Sequence, residues 1–339
     1  MPYVLMVLVG RRGARLCLLC MAMLLGACKQ LNYSNVSGFA QGSTFSITYG
    51  DAQGRDFSAA IDSMLRLADT TLSVFNDASV LSRINRNEQQ QLPPLLRRAI
   101  ELSEQVAEAT QGAFDITIGP VTRAIGFAGG TSRGIDTARV AELMQHVGMD
   151  KVALRGDTLL KSSPQVFIDL NGIAQGLTVD MIGEHFERNG VRHYVVEVGG
   201  EILAQGHNRR GTEWVVGIDS PVEGALPGQH LQAKLYLSGG RGLATSGNYR
   251  KVVEVEGQRY SHTIDPQTGL PTLNALLSAT VVAPSASWAD ALGTAFMVRG
   301  LEWSKAYVKA HPEVEAVLVY ADSTGANRMW SSAGIRFVR

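Results

Sequence analysis

Apolar residues recur at helical spacing in several parts of the chain. In residues 57–72, Ile61, Met64, Leu65 and Ala68 lie three or four positions apart, which predicts an amphipathic helix. Further helices are predicted from the same spacing, or from proline, N-cap and glycine signals at their ends, at 93–108, 136–148, 174–188 and 286–298.

Short β-type runs form the second pattern. Phe45, Ile47 and Tyr49 alternate with polar residues, which predicts a first strand at 43–49. Glycine-rich turns join several later runs, as in an antiparallel meander. These later strands are predicted at 166–170, 194–198, 201–204, 214–218, 231–237, 252–255, 260–264 and 277–282. The chain is therefore predicted to be α+β, with largely antiparallel sheets packed with helices.

The first residues have the pattern of an export signal. Arg11, Arg12 and Arg15 precede an apolar run at 16–27, whose 12 residues are too short to span a bilayer as a helix. The run ends in Leu-Gly-Ala followed by Cys28, which resembles a bacterial lipobox. The alternative is a core helix that happens to end in this sequence.

The lipobox interpretation divides the chain into three parts. It predicts a lipoprotein signal peptide at 1–27, a tether at 28–37 that starts with lipidated Cys28, and one domain at 38–339. The full chain has 31 basic and 31 acidic residues, and loss of the three signal arginines leaves 28 against 31. Such a slightly acidic protein is not expected to bind nucleic acid through bulk charge.

Cysteine usage agrees with this division. The chain has three cysteines, of which Cys17 and Cys20 leave with the signal and Cys28 carries the lipid. The mature domain therefore has no cysteine left for a disulfide or a thiolate metal site.

A strand, a polar turn and a helix follow one another at 167–180. Small residues there allow a ligand to approach the backbone, and free N–H groups at a helix start favour phosphate. A plain strand-to-helix turn explains the same pattern. The usual nucleotide motifs, Gly-x-Gly-x-x-Gly and the Walker sequence, do not occur in the chain.

Two further sites carry candidate chemistry. Asp290 and Thr294 are four residues apart, so they share one helix face, among alanine and glycine residues. Two hard oxygen ligands suit Mg²⁺, although an Asp favoured by the helix dipole and a Thr bonded back to its helix explain the pair equally well. His262 lies between a strand and a turn and is suited to proton transfer, but it can also simply end the strand.

Taken together, the segments resemble the ApbE family of FAD:protein FMN transferases, which attach FMN through a phosphoester to Thr or Ser of bacterial redox proteins. The resemblance implies a two-subdomain architecture with FAD in the cleft between the subdomains. It depends on ordered motifs at 41–47, 72–76, 112–120, 169–180, 197–201, 244–249, 261–269 and 289–294.

The resemblance also implies roles for individual residues. The Mg²⁺ ligands would be Asp290, Thr294 and the backbone carbonyl of Ala174, with His262 and Asp290 as the catalytic residues. His262 is the best candidate to help deprotonate the acceptor hydroxyl. The FAD contacts would be Gln41, Phe75, Ala113, Phe114, Asp115, Asn171, Leu177, Ile264 and Gly293.

Three positions depart from the commoner family pattern. Gln41 stands where the family often has Met, and Phe75 where a Tyr that stacks on the isoalloxazine is frequent. A Phe ring keeps the stacking but not the phenol hydrogen bond. Gln175 stands where Lys is frequent, so more of the phosphate neutralisation would depend on the metal.

The implied reaction is metal-assisted transfer of the FMN moiety of FAD, with release of AMP, to a target flavoprotein subunit of a membrane redox complex. The implied location is the bacterial envelope, with the lipid-anchored domain facing the periplasm. Two alternatives remain, an FAD-binding lipoprotein that transfers nothing and an FAD pyrophosphatase that makes FMN and AMP.

Overall fold

An antiparallel sheet forms the centre of the protein. The computed structural model describes residues 31–127, 130, 136–219, 230–248, 252–255, 258–261, 263–272 and 274–338. The helices of this part are α1 (Ser58–Leu72), α2 (Val80–Asn85), α3 (Pro94–Ala109), α4 (Gly119–Ile125), α5 (Thr137–Met144), α6 (Ala174–Arg188), α7 (Ala286–Arg299) and α8 (Leu301–Ala310). The strands are β1 (Asn32–Ala40), β2 (Ser43–Asp51), β3 (Val152–Arg155), β4 (Thr158–Lys161), β5 (His193–Val198), β6 (Glu201–Gln205), β7 (Trp214–Asp219), β8 (Leu231–Leu237), β9 (Arg241–Gly247), β10 (Val252–Val255), β11 (Gln258–Ser261), β12 (Leu276–Ala283), β13 (Glu315–Ala321) and β14 (Asn327–Ser331).

The central sheet has eight strands in the order β1-β2-β5-β6-β9-β12-β13-β14, and each pair of neighbours is antiparallel. A tight turn joins β1 to β2, because Gln41 (φ 51) and Gly42 (φ 73) both have left-handed backbone angles. This geometry matches the twist of a two-residue hairpin. The pairs β3-β4, β7-β8 and β10-β11 form separate two-stranded sheets.

The two faces of the central sheet are covered differently. On one face, α1 and α6 pack on β2 and β5 around Phe186, and α7 and α8 pack on β12 and β13 around Phe296. On the other face, the β7-β8 hairpin packs Trp214 and Leu235 against Ile202. Ile202 of β6 therefore packs in the core on the hairpin side, and its neighbour Leu203 packs in the core on the helix side, as alternation along a strand requires.

A further core lies beyond the helix layer. It joins α2, α3 and the segment around Phe114 to Leu177 of α6 and Ala291 of α7. Helices α6 and α7 thus pack on the sheet with one side and on this core with the other, so they lie between the sheet and this core.

The α+β prediction is confirmed, with helices packed on an antiparallel sheet. Several predicted elements differ from the observed ones by no more than two residues at either end, among them α1, α3, α6, α7, β7 and β8. The predicted helix at 136–148 has Asp136 as its N-cap, whose Oδ1 accepts from Ala138 N at 3.0 Å, but α5 ends earlier, at Met144.

Two predictions are wrong. Residues 32–37, assigned to a polar tether, belong to strand β1, whose backbone pairs with β2. Residues 166–170 form no strand and make only the isolated bridge between Ile118 and Phe167. The Asn85 side chain replaces a neighbouring strand there, because its Oδ1 accepts from Ile168 N at 2.8 Å and its Nδ2 donates to Ile168 O at 2.9 Å.

The predicted signal peptide at 1–27 and the predicted lipid site Cys28 lie outside the described residues. Within the described ranges, no helix has both the length and the apolar character that crossing a membrane requires.

Candidate functional site

A cavity of about 590 Å³ opens between the core around Phe114, the first turns of α6 and the ends of central strands. Sheet residues reach it at the β5-β6 turn, through Gly199 and Glu201, and at the end of β9, through Thr245 and Ser246. The predicted site residues that line this cavity are Phe75, Ala113, Phe114, Asp115, Asn171, Ile264, Asp290 and Thr294.

The other predicted residues of the described part do not line the cavity. Leu177 is fully buried in the core beside α3, and Gly293 lies behind the lining residue Ser246, whose Oγ is 2.8 Å from where a Cβ on Gly293 would be. Gln41 acts one step away, since its Nε2 donates to Thr178 Oγ1 at 2.9 Å. That hydroxyl donates in turn to the carbonyl oxygen of Ala174 at 2.7 Å.

Helices α6 and α7 are held together at their N-terminal halves. Gly176 allows their close approach, because a Cβ there would lie 2.5 Å from the Ala286 carbonyl oxygen. Asp180 of α6 receives the N–H groups of Ala286 at 2.8 Å and of Ser287 at 3.0 Å. These donors are among those that a helix start leaves without partners inside the helix, so Asp180 caps α7 from the neighbouring helix.

Asp290 and Thr294 are thereby set against the start of α6. Asp290 is 6% exposed, and its Oδ2 accepts from Gly176 N at 3.3 Å. Gly172 brings Thr294 close as well, because a Cβ at Gly172 would be 2.9 Å from Thr294 Oγ1. The sequence-predicted pair therefore faces the helix start that sequence analysis selected independently.

The chemistry of these oxygens fits a hard divalent cation. Asp290 offers a carboxylate, Thr294 a hydroxyl and Ala174 a carbonyl, and Mg²⁺ prefers such ligands together with water and substrate phosphate. Among the described residues, no group of three His, Cys, Asp or Glu side chains could hold a metal. A cation here would therefore depend on one carboxylate and on neutral oxygens.

Two aromatic residues give the cavity an apolar end. Phe75 lines it while 63% of the residue stays exposed, so its ring is accessible to a ligand in the cavity. Phe114 is buried, with one edge near the backbone of Gly172.

Asp115 is a buried carboxylate in this wall. Its Oδ1 accepts from the N–H of Thr117 at 2.7 Å and from the hydroxyl of the same residue at 2.6 Å. Burial nevertheless dominates, and it raises the pKa of Asp115 above its ordinary value.

His262 lies outside the described residues. The next two residues along the chain, Thr263 and Ile264, line the cavity. Its role as a proton acceptor stays a prediction.

Several lining residues have no role among the predictions from the sequence. Asp169 accepts from Asn171 N at 3.0 Å and from Thr122 Oγ1 at 3.2 Å, which fixes the turn before α6. Glu201 is buried at the β5-β6 turn, beside Gln175. The sequence does mark both acids as candidates, because each lies next to apolar residues and within a motif shared with the ApbE family.

Sequence comparison places these motifs in a known context. The ApbE family matches residues 41–318 of the chain. The FAD:protein FMN transferase of Haemophilus influenzae is 34% identical over 298 residues, covering 83% of this chain and 85% of that protein. The FAD:protein FMN transferase of Vibrio cholerae is 32% identical over 327 residues, covering 92% and 95%.

Solved structures agree in fold. The flavin transferase ApbE from Vibrio cholerae matches with a TM-score of 0.77 and 29% identity over 89% of this chain and 98% of that one. The apo form of the Pseudomonas stutzeri flavinyl transferase ApbE matches with a TM-score of 0.79 and 29% identity, over 90% and 96%.

Proposed function

The chain belongs to the ApbE family, and we propose from this premise how its cavity performs the transfer of FMN from FAD to a protein. The chain is a transferase, and FAD is its substrate. The proposal depends on one observation: a single cavity contains both Asp290 and Thr294, which face the start of α6, and the exposed ring of Phe75.

The cavity offers one region for the isoalloxazine ring of FAD and another for its pyrophosphate. The isoalloxazine ring stacks on Phe75, where an exposed aromatic face is available. The pyrophosphate lies at the start of α6, where the helix dipole favours negative charge. The missing side chain of Gly172 lets the Thr294 hydroxyl come close to this helix start.

Asp290, Thr294 and the carbonyl of Ala174 would hold Mg²⁺. When bound, the ion supplies charge compensation for the pyrophosphate and for the departing AMP. The Asp290 carboxylate keeps a bond to Gly176 N through Oδ2, so its orientation is fixed from the helix that carries Ala174. Gln41 donates to the Thr178 hydroxyl, which donates to the Ala174 carbonyl oxygen and so orients it.

The acceptor is a Thr or Ser hydroxyl of a target flavoprotein subunit in a membrane redox complex. Its oxygen forms a bond to the FMN-side phosphorus, the bond from that phosphorus to the bridging oxygen breaks, and AMP leaves. His262 takes the hydroxyl proton. Positioning provides much of the catalysis, since no covalent intermediate on this chain is needed.

The proposed location follows from the N-terminal pattern. Cys28 carries a diacylglycerol after removal of residues 1–27, which holds the domain on the periplasmic side of a bacterial membrane. This location puts the enzyme beside membrane-bound acceptors.

The test is an incubation of the full chain with FAD, Mg²⁺ and a candidate flavoprotein subunit. Covalent flavin fluorescence of the acceptor in a denaturing gel, together with one AMP for each flavin attached, is the expected result. Free FMN and AMP without labelled acceptor would indicate a pyrophosphatase. Bound FAD with neither product would indicate a storage protein.

A further inference from the structure

A second concavity, of about 610 Å³, lies outside the cavity described above. It is formed where the start of β1 meets the β7-β8 hairpin and the loop before β7. Three aromatic residues and two arginines define it, and we call it the anchor groove: Tyr33, Trp214, Tyr236, Arg209 and Arg210.

The groove is built by specific contacts. Tyr33 donates its hydroxyl to the carbonyl of His207 at 2.8 Å, and Arg209 Nη2 donates to the carbonyl of Tyr33 at 2.9 Å. The edge of the Tyr33 ring meets Trp214 with centroids 6.3 Å apart. Asn208 Oδ1 accepts from Arg210 N at 2.8 Å and fixes the loop. The arginines are therefore presented on an ordered surface.

The charge of the groove is positive. Arg209 and Arg210 are exposed, and the described residues that line it include no carboxylate. Glu213 is the nearest acid along the chain, and it is neutralised by Arg336, whose Nη1 donates to Glu213 Oε2 at 2.8 Å. These hydrogen bonds, together with one from Ser238, lower the pKa of Glu213 to about 2.

The groove also lies close to the proposed lipid anchor along the chain. Strand β1 begins at Asn32, four residues after Cys28. Four extended residues span at most about 14 Å. A diacylglycerol on Cys28 therefore keeps the Tyr33 end of β1 within reach of lipid headgroups.

We propose that the anchor groove docks on the bilayer that holds Cys28 and binds anionic phospholipid headgroups through Arg209 and Arg210. This rests on the lipid anchor proposed above. Guanidinium groups pair with phosphate through parallel hydrogen bonds, and Tyr, present here as the half-buried Tyr33 and Tyr236, is favoured at the level of the headgroups. The groove has both features. It lies at the start of β1, which the short tether to Cys28 keeps near the membrane.

Docking there would set the height of the active site. Strand β1 runs from Tyr33 at the groove to the turn at Gln41, which bonds to Thr178 beside the cavity. Eight residues of antiparallel strand cover at most about 27 Å. With the groove on the bilayer, the turn at Gln41 lies at most about this far from the membrane surface.

The test uses the lipidated mature protein with a single environment-sensitive fluorophore. Cys28 is the only cysteine of the mature chain and its thiol carries the lipid, so Val215→Cys places the label uniquely in the groove. Met329→Cys is the matched control, since Val215 is 47% and Met329 45% exposed, and Met329 lies on β14 at the edge of the sheet opposite β1. Mass spectrometry first establishes the diacyl group on Cys28. Each protein is then reconstituted into phosphatidylcholine vesicles with or without phosphatidylglycerol.

We expect a blue shift and higher emission at position 215 with phosphatidylglycerol only, and no change at 329. An arginine near an anionic surface contributes about fivefold in affinity, so Arg210→Gln should require correspondingly more phosphatidylglycerol for the same change. A label at 215 that stays in water, or responds equally to neutral vesicles, would overturn the docking proposal. So would a response to inorganic phosphate alone, which would indicate a site for the free ion. Absence of the diacyl group would overturn the anchor itself.

Discussion

Ser287 donates its hydroxyl to Asp180 Oδ2 at 2.6 Å, and this bond crosses from α7 to α6. The same carboxylate receives the N–H groups of Ala286 and Ser287. Burial raises the pKa of Asp180, while these donors oppose the rise. The start of α7 is thus fixed to α6, and with it the distance from Asp290 to the α6 N–H groups.

Asp180 is therefore expected to be a positioning residue for the proposed Mg²⁺ site. Asp180→Asn keeps the size of the side chain but directs an NH₂ group at backbone N–H donors. We expect a loss of about 1–3 kcal/mol in the free energy of unfolding. The Mg²⁺ concentration that gives half-maximal transfer should rise by about tenfold, which corresponds to about 1.4 kcal/mol of metal affinity.

The control is Asp62→Asn, an exposed aspartate on α1. It should change neither the melting temperature nor the Mg²⁺ requirement. If Asp180→Asn melts earlier but needs no more Mg²⁺ than the wild type, its role is structural only.

Phe75 is expected to supply the stacking surface for the flavin. Phe75→Ala should weaken FAD binding by about 1–3 kcal/mol, whereas Phe75→Tyr should keep the affinity. Phe39→Ala is a matched control, because Phe39 is 74% and Phe75 63% exposed, but Phe39 lies on β1 and outside the cavity lining. Flavin titration by fluorescence gives the affinities of the wild type and the three variants. Equal binding by Phe75→Ala and the wild type would exclude the stacking role.

Much of this fold is readable from the sequence because burial and periodicity coincide. Helices α1 and α3 have one buried face each, so their spacing identifies them, and Pro93 and Pro94 mark the start of α3. Helix α7 is apolar on nearly all sides, and its limits are still marked by the N-cap Ser285 and by Gly300. The pairing of Asp290 with Thr294 followed from helix geometry alone.

The rest depends on contacts that are distant along the chain. Strand β1 is mostly exposed and polar, and only its pairing with β2 makes it a strand. The segment around Ile168 looks like a strand, but Asn85, from a helix far earlier in the sequence, occupies its backbone groups. The indirect role of Gln41 through Thr178 likewise has no local signal.

Lys161 should make the free energy of unfolding increase with pH in the alkaline range. Its Nζ donates to the carbonyl oxygens of Ile84 at 3.2 Å and Asn85 at 3.3 Å, at the end of α2. Burial lowers its pKa from 10.5 to about 8. Between these values the folded protein binds fewer protons than the unfolded chain, so this residue makes the free energy of unfolding rise with pH, by at most about 1.4 kcal/mol per unit.

Denaturant unfolding at pH 8, 9 and 10 checks this window. Lys161→Met should remove the rise, so that the wild type gains stability relative to the variant as the pH increases. Lys309→Met, at an exposed position on α8, should follow the wild type. A constant difference between wild type and Lys161→Met across the window would contradict the prediction.

The central claim, that Asp290 makes this cavity a metal-dependent transfer site, is tested most directly by covalent flavin transfer as a function of Mg²⁺ concentration for Asp290→Asn. The substitution keeps the helix and the side-chain size but removes the charge that holds a hard cation. We predict that transfer falls by orders of magnitude at limiting Mg²⁺ and recovers in part with excess Mg²⁺, while FAD binding and the melting temperature change little. Near-wild-type transfer by Asp290→Asn at every Mg²⁺ concentration would contradict the claim.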